Sequence, residues 1–65
     1  MGKKYLVYAP VREFWVFEVE ANSKKEAIQK VRYTNDGIQV FSVNYLEAPI
    51  PRFVYQAVVA NQTDQ

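Results

Sequence analysis

The sequence predicts a small two-layer α+β domain, ββαβ(β), with one helix packed on a mostly antiparallel sheet of three to four strands. Three observations predict it. Two stretches rich in aromatic and β-branched residues, YLVYA and FWVFEVEA, lie only a few residues apart. At Asn22 the spacing of apolar residues changes from alternation to the three-and-four of a helix. After Gly37 alternation resumes in IQVFSVNYL.

Taken in order, the first strand runs through Tyr5, Leu6, Val7, Tyr8 and Ala9 and is closed by Pro10. Only Pro10 to Glu13 separates it from the second, Phe14 to Ala21, so the pair should be an antiparallel hairpin. On the second strand Trp15, Phe17, Val19 and Ala21 share one face, and Phe14, Val16, Glu18 and Glu20 the other. The first face is the more apolar and is expected to meet the core.

Ser23 followed by Glu26 fits a capping box, in which the serine oxygen accepts from the Glu26 amide and the glutamate reaches back to the serine amide. The helix that starts there presents Ala27, Ile28 and Val31 to the sheet, with Tyr33 near its end, and Lys24, Lys25, Gln29, Lys30 and Arg32 to water. Thr34 to Gly37 should stop it, with Asn35 or Gly37 in a left-handed conformation. Ile38 to Leu46 is a third strand. Ala48 to Arg52 holds prolines at 49 and 51 and reads as a connector. Arg52 to Ala60 is read as a fourth strand, the alternative being a short helix with Pro51 in its first turn. If the helix carries the chain over the hairpin, the third strand lies beside the first and the sheet order is 2-1-3-4. Residues 1–60 form the single domain and 61–65 a frayed polar tail.

Sixty-five residues bury only about 60% of the surface their unfolded chain exposes, so stability depends on packing. There is no cysteine and no histidine, which removes disulfides, thiol chemistry and the usual zinc sites, and no cofactor is expected. No apolar run approaches a membrane span, and the chain reads as cytoplasmic. A net charge of +1 nominates no partner by electrostatics alone.

The stretch VFEVEANSKKEAIQKV, preceded by a short strand beginning Lys3-Lys4-Tyr5, resembles the small DpnD/PcfM-like proteins of phages and mobile elements. There a strand ending in Val-Glu-Ala likewise runs into a Ser-x-x-Glu-Ala helix. The resemblance covers roughly Lys3 to Leu46 and stops at Glu47. It implies a phage or plasmid origin and an accessory role, and carries over no functional residues.

An enzyme is not expected. Glu18 and Glu20 share a strand face, but carboxylates on the wet side of a half-buried strand need no chemistry to explain them. Ser23 is accounted for as a cap. Aromatic residues make up 15% of the chain, more than one helix can cover, and the sheet face away from the helix should present Tyr8, Phe14, Val16, Val40, Tyr45, Val54 and Val58. That face is the expected site of protein binding, to a host factor or to a second copy. The alternative is stacking of single-stranded nucleic acid on the same aromatics, steered by Lys3, Lys4, Arg12 and Arg52. Glu13, Glu18, Glu20 and Glu47 are scattered through the same strands and rank it second. A structural variant has Phe53 to Ala60 pairing with a neighbouring chain in an obligate homodimer.

Overall fold

The computed structural model describes residues 2–49 and 52–60. The elements are β1 (Lys3–Pro10), β2 (Phe14–Ala21), α1 (Lys24–Thr34), β3 (Ile38–Val43), a 3-10 turn (Tyr45–Glu47) and β4 (Gln56–Val59). One helix packs on a four-stranded antiparallel sheet, the α+β class that the sequence predicts. The expected tail, 61–65, lies outside the described residues, as does Pro51 of the connector.

The hairpin forms with Pro10 opposite Phe14 and Lys3 opposite Ala21. Ser23, in extended backbone, caps α1 with its Oγ accepting from the Glu26 amide at 3.1 Å. The Glu26 carboxylate reaches back to the Asn22 amide at 2.6 Å, one residue earlier than the expected serine amide. At the other end Asn35 (φ 57°) and Gly37 (φ 106°) both take left-handed backbone. The Asn35 and Asp36 amides then both donate to the Lys30 carbonyl, the second at 3.0 Å, and satisfy a carbonyl left open at the helix end.

The strand order is 3-2-1-4, which corrects the expected 2-1-3-4. The reason lies in where the helix begins and ends. It packs on β2, β1 and β4. Asn22 directly follows β2, and Gly37 is held against Glu18 and Val19 of the same strand. The chain therefore returns to the end of β2 that it left, and β3 runs back antiparallel on β2, with Ile38 opposite Glu18 and Val43 opposite Phe14. The hairpin's other side is left for β4, which pairs with β1 from Tyr5–Val59 to Tyr8–Gln56. The fourth segment is thus a strand, shorter than the expected Arg52–Ala60, and it pairs with β1.

Both faces of the sheet are packed. On the helix face Tyr5, Val7, Val19, Ala21 and Ala57 meet Ala27 and Val31 of α1, flanked by Phe17, Ile28 and Tyr55. On the opposite face Tyr8, Phe14 and Val16 form a second cluster with Leu6, Val43, Tyr45, Ala48 and Val58. Asn44 makes this second layer possible. Its side chain accepts from the Leu46 amide at 2.8 Å, so β3 stops at Val43, short of the expected Leu46. The chain on either side of the proline connector, 44–49 and 52–55, then forms a flap. Phe14 sits at the centre of its aromatic contacts, with ring centroids 5.7 Å from Tyr8, 6.0 Å from Tyr45 and 5.2 Å from Phe53.

Two expectations about faces are corrected by this flap. Tyr8, Phe14 and Val16, expected on an uncovered surface, are buried, Phe14 and Val16 completely. Trp15, expected in the core beside Phe17 and Val19, is 39% exposed. Its cross-strand neighbours are Ala9 and Ser42, both too small to enclose an indole.

Candidate functional site

Of the seven residues expected to bind a protein, Val40 and Val54 are exposed, Tyr45 and Val58 are half-buried, and Tyr8, Phe14 and Val16 are interior. Exposed apolar side chains gather instead on β3, with others at Leu46, Phe53 and Val54 on the flap and Val59 at the end of β4. Every residue of β3 from Ile38 to Ser42 is exposed, and only Val43 is partly covered. Ile38 stands 71% exposed, Val40 and Phe41 46% each. Across β2, Trp15 adds an aromatic surface next to Ser42.

The geometry follows from the layers. The helix lies over β2, β1 and β4, and the flap over Tyr8, Phe14 and Val16, which leaves β3 at the end of the sheet. Its pairing with β2 contains a bulge. Val16 opposes Phe41 and Phe17 opposes Gln39, so Val40 is an extra residue with no opposite number. Because paired residues share a face, Ile38, Phe41 and Val43 lie with Glu18, Val16 and Phe14 on the flap face, and Gln39 and Ser42 with Phe17 and Trp15 on the helix face.

β3 carries no charge along its six residues. Sheet edges are commonly protected by lysine, proline or inward charge, since their outer N–H and C=O groups can template another strand. This edge has its bulge alone. The sequence reading did not single out Ile38, Phe41 and Trp15 as surface. An apolar strand without one charged residue, next to the left-handed stop of the helix, was the signal that could have found the first two.

Charged groups cluster elsewhere. Lys4 Nζ lies 4.0 Å from the Glu18 carboxylate, the lysine exposed and the glutamate half-buried, and Lys4 also pairs across the hairpin with Glu20. The two carboxylates that share a face thus have a lysine beside them in an exposed setting, where such pairs contribute little. Lys30 Nζ donates to the Glu20 carbonyl at 2.9 Å and ties α1 to the end of β2. The Arg32 guanidinium lies 4.9 Å from the Tyr55 ring centroid and 5.3 Å from that of Tyr33. Among the described residues no group of three or more acidic side chains is placed to hold a metal ion. None of the helices among them is long and apolar enough to cross a membrane.

No family model, curated protein or solved structure matches the chain.

Proposed function

We propose that this is a non-enzymatic protein-binding module that engages its partner along the β3 edge. The observation that carries this reading is the uncharged six-residue edge strand with Ile38, Val40 and Phe41 in solvent, covered by neither the helix nor the flap. Such an edge supplies two kinds of affinity at once. Its outward backbone groups can continue the sheet, and its apolar side chains Ile38 and Phe41 can be buried together on the flap face of the extended sheet. The resemblance to DpnD/PcfM-like proteins supports an accessory role in a phage or mobile element, acting on a host factor in the cytoplasm.

Stacking of single-stranded nucleic acid loses its best platform in this fold. Tyr8 and Phe14 are enclosed by the flap.

The reading is tested with a photo-crosslinking amino acid placed in turn at Val40, at Phe41 and, as control, at the exposed helix position Gln29. Adducts to protein are expected from the first two positions and not from the third. Equal labelling from all three would overturn the β3 assignment.

A further inference from the structure

We infer that the occupant of the β3 edge is the β3 of a second copy, paired antiparallel about a two-fold axis between Val40 and Phe41. This rests on the reading of β3 as a contact edge and adds to it the partner and the register.

The argument is one of parity. Antiparallel partners must present their side chains to the same face of the shared sheet. In a regular strand, residues an odd number apart point to opposite faces, so a two-fold self-pairing must join residues an even number apart. The bulge at Val40 reverses this for β3. Ile38 and Val43 are an odd number apart and yet share the flap face, since they oppose Glu18 and Phe14. Gln39 and Ser42 are likewise an odd number apart and share the helix face, opposing Phe17 and Trp15. A two-fold between Val40 and Phe41 therefore sets Ile38 against Val43 of the second copy and Gln39 against its Ser42, each pair on one face. Shifting the register by a single residue either way breaks the match at every such pair.

The chemistry of the pairs agrees with the geometry. Apolar meets apolar where Ile38 meets Val43, and Val40 and Phe41 meet across the axis. Amide meets hydroxyl where Gln39 meets Ser42. No charged residue lies in the paired segment, so the two-fold brings no like charges together, the usual obstacle to self-pairing. The contact is isologous, closes after two chains, and joins the two sheets into one of eight strands with both helices on the same face. It also covers Ile38, the most exposed of the large apolar residues of the strand.

The chain has no cysteine of its own, which permits a decisive experiment. Gln39→Cys protein and Ser42→Cys protein are oxidised separately and after mixing in equal amounts. The expected result is a disulfide-linked dimer that forms in the mixture and in neither protein alone. Light scattering of the wild-type protein should show a mass that falls from two chains to one on dilution. Val40→Lys, which sets two cations beside the axis, should raise the dissociation constant roughly tenfold or more while leaving the far-UV spectrum unchanged. A one-chain mass at every concentration, or a link formed by Gln39→Cys alone, would overturn the inference. The two failures are separable: a one-chain mass together with photo-adducts to another protein at Val40 and Phe41 removes the second copy and keeps the edge as a binding site. Without such adducts both readings fall.

Discussion

The rings of Phe14 and Phe53 stand 5.2 Å apart, one on β2 and the other on the flap beyond the proline connector. Phe53 closes the aromatic layer further with an edge-on contact to Tyr45, also at 5.2 Å. Residues far apart in the chain thus seal the sheet face that the helix cannot reach. Phe14 becomes one of the most enclosed side chains of the domain, while Trp15 beside it is in contact with solvent.

Phe14→Ala should therefore destabilise the protein by roughly 3–5 kcal/mol, the range of large buried aromatic truncations. Trp15→Ala should cost no more than about 2 kcal/mol, because much of the indole is already hydrated. Urea titration of the two variants checks the ranking. A larger loss from Trp15→Ala would mean that the flap does not seal the face in solution.

Gly37 holds the turn between α1 and β3 at φ 106°, where a side chain is strained whatever space surrounds it. A Cβ there would also stand 3.3 Å from the Glu18 carbonyl oxygen and 3.4 Å from the side chains of Val19 and Val31. Gly37→Ala is expected to lower stability by about 1–3 kcal/mol. Asn35→Gly, at the other left-handed position, is expected to be neutral or slightly stabilising. Thermal melts of both variants separate the two cases. Equal losses would place the strain elsewhere.

Ser23→Ala removes the oxygen that accepts from the Glu26 amide and should cost about 1 kcal/mol. Glu26→Gln keeps an acceptor for the Asn22 amide and should cost less. Stability measured by denaturant for each variant decides. A neutral Ser23→Ala would show that tertiary contacts alone hold the first turn of α1.

How much of this was legible in the sequence varies by element. The hairpin, the capped helix, its left-handed stop and the strand that follows could all be read locally. Each depends on neighbours within a few residues: Ser23 and Glu26 across one turn, or Pro10 and Phe14 across a short loop. The face of β2 was harder. Both Trp15-Phe17-Val19 and Phe14-Val16 are apolar, and alternation alone cannot say which set lies deeper when both sides of a sheet are packed. The candidate surface failed for the same reason. Val40 and Val54 are exposed as expected, but Tyr8, Phe14 and Val16 were assigned to an open face because nothing local announces that Tyr45 and Phe53 fold back over it.

By itself the sequence determined the class of the protein: strands where aromatic and β-branched residues alternate, one helix between its serine cap and Gly37, and no cysteine or histidine chemistry. Only the tertiary structure decided that β3 lies on β2 at the end of the sheet, that a bulge at Val40 resets its faces, and that the flap covers Phe14. Those outcomes depend on which distant surfaces meet once the helix packs on the sheet. Such contacts are set by the sum of packing over the whole domain, and no short stretch of chain encodes them.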